Sequence, residues 1–152
     1  MRADKISLVA KSDVLICEYA SQYLKTHREQ HFVNVVSRKM REMAKLLIEL
    51  RKSKPTIINF FDALKPEHYD DFVAPTKIVG KFDAEKDRFD SPTFAMNIAT
   101  SIKQCCNLAI MMALKKHGPY TEVRTVLFSC LAQNISQLLS RHFVIGLHYL
   151  PH

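Results

Sequence analysis

The most constraining feature of the chain is a long segment, His31 to Lys52, in which apolar residues recur at steps of three or four. This spacing places the apolar side chains on one face of an α-helix, whose period is about 3.6 residues. The stripe consists of Phe32, Val36, Met40, Met43, Leu47 and Leu50. Pro55 follows closely and disfavours helical conformation at the residue before it. We therefore predict an amphipathic helix from about His31 to Lys52.

Comparable patterns predict helices along the rest of the chain, and no segment shows convincing strand character. The other predicted helices run from Ser12 to Thr26, Asn59 to Leu64, Pro66 to Val79, Ser91 to His117 and Thr121 to Arg141. Ser12 and Ser91 are the expected N-caps of their helices, and Pro75 is expected to kink or shorten its helix. Residues 80–90 form a predicted polar loop. The sequence thus predicts an all-α fold, a single bundle of about six helices.

Hydropathy and cysteine usage indicate a soluble intracellular protein. No apolar run reaches the roughly 18 residues that a membrane span needs. The opening segment MRADKISLVAKSD is charged where a signal peptide would be apolar. The cysteines are Cys17, Cys105, Cys106 and Cys130, and no two of them form a Cys-x-x-Cys pair. We expect them to be buried and reduced, because free cysteine packs as a small hydrophobe.

The whole chain has a net charge of +7, and its positive charge is concentrated in one part. Nine Lys and Arg stand against three Glu from Lys25 to Lys54, whereas eight acidic residues outnumber five basic ones from Asp62 to Asp90. After Gly118 the charged residues are Glu122, Arg124 and Arg141. A local basic excess of this kind is typical of proteins that bind polyanions.

Four of the basic residues form a line along the long helix, opposite its apolar stripe. This basic row consists of Arg38, Arg41, Lys45 and Lys52, and Lys25 and Arg28 extend the charge at its start. Such a row on a rigid helix would neutralise several phosphates and release a counterion at each. Glu42 and Glu49 lie beside it at spacings that favour ion pairs, as on an ordinary solvated helix face. The residue pattern alone leaves both interpretations open.

Three segments of the chain resemble the opening part of proteins related to Crypton-type tyrosine recombinases. They are ISLVAKSDVLICEYASQYLKTH, VVSRKMREMAKLLIEL and VGKFDAEKDRFDSPTFAMNIATSIKQCCNLAI, which together span about Ile6 to Lys116. The third is similar to the family's pattern of Gly-Phe-Asp, a polar loop and Ser-Pro before a long helix, although Lys81 interrupts the Gly-Phe-Asp. The resemblance implies a helical, SAM-like core-binding domain, which in tyrosine recombinases forms half of a clamp around DNA.

The same resemblance implies two parts of the chain and a role without catalysis. Residues 1–117 would be the core-binding-like domain, and residues 118–152 would be a divergent apolar helical tail. The catalytic domain of such recombinases uses a Tyr, an Arg, a Lys and a His-x-x-Arg group, and the chain contains no His-x-x-Arg. We therefore expect a non-catalytic protein that binds double-stranded DNA mainly through phosphates, and that is nuclear if it does so.

No metal or cofactor site is predicted. His27 and His31 have the i,i+4 spacing of metal ligands, but no His-Glu-x-x-His motif accompanies them. Asp83, Glu85 and Asp87 resemble the start of a calcium loop that lacks its glycine and its final glutamate. No nucleophile motif or phosphate loop is present either, so we expect no small-molecule substrate.

A second interpretation belongs to a different class of function. In it the chain is a helical protein–protein interaction module without nucleic-acid binding, and the tail after Gly118 mediates docking or homo-oligomerisation. Sizing with and without the tail separates this interpretation from DNA binding. In a third interpretation, only residues 6–116 fold and the rest does not.

Overall fold

The computed structural model describes residues 3–115, except Tyr69, Asp87 and Ser91. The described part is mostly helical, which confirms the all-α prediction. Its α-helices are α1 (Lys5–Ser12), α2 (Val14–Thr26), α3 (Phe32–Ser53), α4 (Phe60–Ala63), α5 (Val73–Val79) and α6 (Pro92–Lys115). None of these helices combines the length and hydropathy required to cross a bilayer. The predicted helix from Thr121 to Arg141 and the predicted end of the preceding helix at His117 lie outside the described residues.

Helix α3 lies at the centre of the bundle and packs against α1, α2, α5 and α6. It begins and ends within one residue of the predicted bounds. Four members of the predicted stripe are buried, and Phe32 and Met40 are partly buried at its edge. Burial extends beyond the stripe to Glu42, Ala44 and Leu46. The buried surface is wider than one stripe because neighbouring helices contact α3 from several sides.

The first helix, α1, was not predicted, and it changes how the next helix begins. Ser12 is the last residue of α1, so the prediction that Ser12 caps the following helix is wrong. Asp13 is the cap, and its Oδ1 accepts a hydrogen bond of 3.0 Å from the Ile16 amide. Its Oδ2 accepts a second bond of 2.8 Å from the Phe60 amide at the start of α4. One buried carboxylate thus joins the beginnings of two helices.

The segment between α4 and α6 is more irregular than the sequence predicts. Asn59 caps α4, but Pro66 begins a 3₁₀ turn, Pro66–His68, rather than an α-helix. A second 3₁₀ turn, Asp70–Phe72, leads into α5. Pro75 lies in the first turn of α5, where backbone amides have no acceptor within the helix. The proline therefore fits without a kink, and the predicted helix is shortened.

The predicted polar loop contains a small hairpin, so the expectation of no strand is wrong at this place. Strands β1 (Phe82–Asp83) and β2 (Arg88–Phe89) are antiparallel, with Phe82 opposite Phe89. Asp83 shapes the turn, because its carboxylate accepts bonds from the Glu85 and Lys86 amides at 3.0 and 3.2 Å. Strands of two residues do not alter the fold class.

Helix α6 completes the core and holds two of the thiols. Four residues that recur on its inner face, Ile98, Ile102, Cys105 and Ala109, are buried, and Met112 is partly buried. Cys105 and Cys106 are free and buried, as predicted, whereas Cys17 is only half-buried and Cys130 lies outside the described residues. Burial raises the pKa of Cys105 well above its usual value and that of Cys106 to about 12, so both thiols stay protonated.

Substitution of the shared cap tests this account of the fold. Asp13→Ala is expected to lower the free energy of unfolding by about 1–3 kcal/mol, because the amides of Ile16 and Phe60 lose their acceptor. Ser12→Ala is the matched control, since it removes only an exposed bond to Val9, and its cost should stay below about 0.5 kcal/mol. Urea unfolding measures both, and equal losses would contradict the assignment of Asp13 as the cap.

Candidate nucleic-acid interface

Three members of the basic row are exposed along the outer side of α3. Arg38, Lys45 and Lys52 are exposed, with 68% of the Arg38 side chain and 66% of the Lys52 side chain accessible. We call these three residues the cation face. They follow one another at seven-residue intervals, so they stand nearly in line, about 10 Å apart along the axis. The rigid helix therefore presents three long cationic side chains over about 21 Å.

The fourth member, Arg41, has a partner within the chain. Its guanidinium donates to both oxygens of Asp4, at 2.9 and 2.6 Å, and only 24% of its side chain is accessible. Hydrogen bonding to Asp4 raises the pKa of Arg41. Asp4 is also the N-cap of α1, in a reciprocal capping box with Ser7. The structure thus places Arg41 at the junction of α1 and α3, where it holds the two helices together.

Carboxylates lie beside the cation face without neutralising all of it. Lys52 Nζ is 2.8 Å from Glu49 Oε1, and Arg38 Nε is 3.9 Å from Glu42 Oε1. Both pairs join residues of the same helix, three and four positions apart. In the described part of the chain, no carboxylate lies within 4 Å of Lys45 Nζ. The ion pairs that the sequence suggests for Lys45 are therefore not formed.

Glu42 is a buried acidic residue of α3 beside the cation face. It is buried to 8% exposure, and burial raises its pKa above 4.5 despite the opposing charges of Arg38, Lys39 and Lys45. Its carboxylate is therefore held close to the cation face at some electrostatic cost. Helix α3 as a whole has six basic residues and two acidic ones, a balance of +4. The surface consequently remains positive with Glu42 ionised.

The secondary candidates Lys25 and Arg28 are exposed near the connection from α2 to α3. This connection is organised by rings, because His27 stacks on Tyr23 at 4.2 Å and packs against Phe32 at 4.7 Å. Sequence reasoning missed this cluster, although the Tyr23, His27 and Phe32 spacing of four and five residues could have indicated it. These ring contacts fix the connection that carries Lys25 and Arg28, and Arg28 comes four residues before α3 begins at Phe32.

Lys39 was also missed by the sequence reasoning. Its ammonium lies 5.8 Å from the centroid of the Tyr23 ring, off the line of the cation face. It therefore contributes charge to the α2 side of α3. Among the described residues, no group of three His, Cys, Asp or Glu side chains could hold a metal ion.

No protein-family model, curated protein or solved structure matches the chain. The assignment of function therefore depends on the exposure, charge and pairing of the side chains described above.

Removal of the Asp4–Arg41 pair is expected to destabilise the fold and to leave the cation face unchanged. Asp4→Asn keeps an N-cap side chain but loses the charge, and Arg41→Gln loses the donor pair. Each variant should unfold at a lower urea concentration. The double variant should lose less unfolding free energy than the sum of the two single losses, because both substitutions remove the same interaction. Lys45→Gln is the control and should leave the midpoint unchanged. Fully additive losses would mean that the pair is not coupled.

Neutralisation of Glu42 is expected to stabilise the chain at neutral pH. A carboxyl whose pKa is higher in the folded state than in the unfolded state destabilises the fold when it ionises. The free energy of unfolding therefore falls as the pH rises from the unfolded pKa, about 4.5, through the folded pKa. Glu42→Gln removes this loss, so its advantage over the wild type should be present at pH 7 and vanish near pH 4. Glu49→Gln, which breaks the pair with Lys52, is the control and should not stabilise. Urea unfolding at both pH values decides the matter, and a destabilised Glu42→Gln at pH 7 would refute it.

Proposed function

We propose that the chain binds double-stranded DNA through its phosphates and does not cleave it. The observation that carries this proposal is the cation face, three accessible basic side chains on one rigid helix. A duplex carries one negative charge per about 1.7 Å of its axis with both strands counted, so a length of 21 Å carries about 12 phosphates, and the helix faces those on its own side. Contact with a few of them would suffice for binding that depends strongly on salt.

The ion pairs on this surface do not oppose binding by much. Exposed pairs such as Lys52–Glu49 contribute about 0–1 kcal/mol at most, because water and salt screen them. A phosphate can therefore replace Glu49 as the partner of Lys52 at little cost. Lys45 needs no such exchange, since it makes no ion pair with the described residues.

Arg41 has a different place in this proposal from the one that the sequence suggests. Its bidentate bond with Asp4 is charge-assisted, and such bonds are among the stronger polar interactions in proteins. Transfer of its guanidinium to a phosphate would leave the capping carboxylate of α1 without this partner. We therefore assign phosphate contact to Arg38, Lys45 and Lys52, with Lys25 and Arg28 as flanking contacts.

The resemblance to the core-binding part of Crypton-type recombinases supports the same proposal from the sequence side. It accounts for a helical domain with a basic face and for the absence of a His-x-x-Arg group. The proposed role is thus DNA binding without strand cleavage, in the nucleus. No side chain is assigned to base edges, because phosphate contacts alone carry no sequence information.

The experiment is a salt titration of binding by the full chain to a generic duplex, followed by fluorescence anisotropy. The triple variant Arg38→Gln, Lys45→Gln, Lys52→Gln should bind more weakly, and the slope of log K against log salt should fall by about 0.9 for each lost phosphate contact. Duplexes of equal length and different sequence should be affected alike.

The matched control removes the same number of charges elsewhere. It is the triple variant Lys65→Gln, Lys77→Gln, Lys86→Gln. These lysines belong to the acid-rich segment, where they contact Asp62, the Phe82 ring and Asp83 in turn. This control should keep the wild-type slope. Equal weakening by the two triple variants would reduce the effect to net charge and overturn the assignment, as would wild-type binding that is insensitive to salt.

A further inference from the structure

A concave surface of about 480 Å³ lies where the junction of α1 and α2 meets the end of α3 and the segment that leads into α4. We call this surface the junction pocket. Its lining includes Ser12, Val14, Arg51, Ile58, Asn59 and Phe61. Arg51 lies about 100° around the axis of α3 from Lys52, its neighbour in sequence. The junction pocket is therefore not part of the cation face.

The apolar part of the junction pocket is unusually accessible. Val14 is 65% exposed and Ile58 is 71% exposed, and Phe61 beside them is partly buried. Single exposed apolar side chains are common on protein surfaces, but these residues line one pocket together. An apolar patch with polar residues at its rim, here Ser12 and Asn59, is typical of a site that another molecule covers.

The cationic part of the junction pocket is Arg51. Its guanidinium donates a hydrogen bond to the carbonyl oxygen of Ile58. Among the described residues, no carboxylate lies within 4 Å of this guanidinium. A guanidinium has five N–H donors, and its planar fork fits a carboxylate through two parallel bonds. Arg51 therefore keeps donors for an acceptor that comes from outside the described part of the chain.

Two carboxylates adjoin the junction pocket, and both have other partners. Asp13 is 4% exposed, and its oxygens accept bonds from the amides at the starts of α2 and α4. Asp62 accepts a bond of 3.1 Å from the Ile58 amide, and its other oxygen lies 3.4 Å from Lys65 Nζ. Neither forms an ion pair with Arg51, so the charge of Arg51 suits an acidic partner.

We propose that the junction pocket binds a segment of a partner protein in which an apolar side chain stands beside an aspartate or a glutamate. The apolar side chain covers Val14 and Ile58, and the carboxylate accepts hydrogen bonds from Arg51. Arginine and apolar anchors of this kind commonly carry much of the binding energy of protein interfaces. The proposal involves no DNA and is independent of the function of the cation face.

Two other occupants fit the junction pocket less well. A small-molecule site encloses most of its ligand, whereas this pocket leaves Val14 and Ile58 more than half exposed. A DNA phosphate would use Arg51 but would leave both apolar side chains uncovered. A peptide segment meets both requirements, because it offers an apolar and an acidic side chain on one backbone.

Three pools of short fluorescein-labelled peptides test the chemistry of the occupant on the full chain. The first pool places Leu, Ile or Phe beside Asp or Glu in a Gly-Ser background. The second pool replaces the acids with Asn and Gln, and the third replaces the apolar residues with Ser. By fluorescence anisotropy, the first pool should bind about tenfold more tightly than each of the others. The proposal is wrong if the first pool does not bind, or binds no better than the second.

Variants of the chain test the place of binding. Arg51→Gln should lower the affinity for the first pool about tenfold, to that of the second pool. Val14→Ser with Ile58→Ser should lower it by at least as much. The matched control, Ile78→Ser with Lys86→Gln, removes one exposed apolar side chain and one cation elsewhere and should keep the wild-type affinity. Equal weakening by the control and the pocket variants would refute the assignment.

Photo-crosslinking identifies the occupant without relying on the fold of a pocket variant. A benzophenone amino acid in place of Ile58 should capture the first-pool peptides, and the same probe in place of Ile78 should not. An excess of unlabelled duplex DNA should not displace them. Displacement by the duplex would mean that nucleic acid occupies the pocket. Crosslinks to a second copy or to a distant segment of the same chain, formed without peptide, would likewise contradict the proposal.

Discussion

Helix α3 must bury a wide apolar arc while it keeps a narrow polar arc in water, and the rest of the bundle is arranged around this requirement. Leu46, Leu47 and Leu50 are fully buried because α1, α2, α5 and α6 all contact this one helix. Burial on that scale fixes the rotation of α3 about its axis. The cation face is exposed as a consequence, since rotation of the helix would bring charged side chains into the core, where their desolvation is costly.

Two carboxylates set the positions of the shorter helices on this central element. Asp13 accepts bonds from the amides that begin α2 and α4, and Asp4 both caps α1 and binds Arg41 of α3. Each lies at a helix junction, where backbone amides need acceptors that the helix itself does not provide. Asp4 and Asp13 therefore act in the architecture, while the cation face remains at the surface.

Much of the fold follows from local sequence patterns. The bounds of α3, the start of α6 at Pro92 and the Asn59 cap of α4 were predictable, because periodicity and capping chemistry act over a few residues. Helix α1 was missed because its eight residues make only about two turns, which is too short for a helical period to stand out in the sequence. Its presence moved the next cap from Ser12 to Asp13. The hairpin at Phe82 was missed because two paired residues on each side leave no alternating pattern.

The sequence by itself determined which cations share a face of α3, since position along a helix fixes angle around its axis. It did not determine which of them remain available to a partner. Arg41 is occupied by Asp4, a residue 37 positions away, and Lys45 makes no ion pair within the described residues although Glu42 and Glu49 are close in sequence. Only the tertiary structure decided the place of Arg41, because the packing of α1 against α3 brings a distant carboxylate to one edge of the basic row. Within α3 itself, Glu42 and Glu49 pair with Arg38 and Lys52 and not with Lys45.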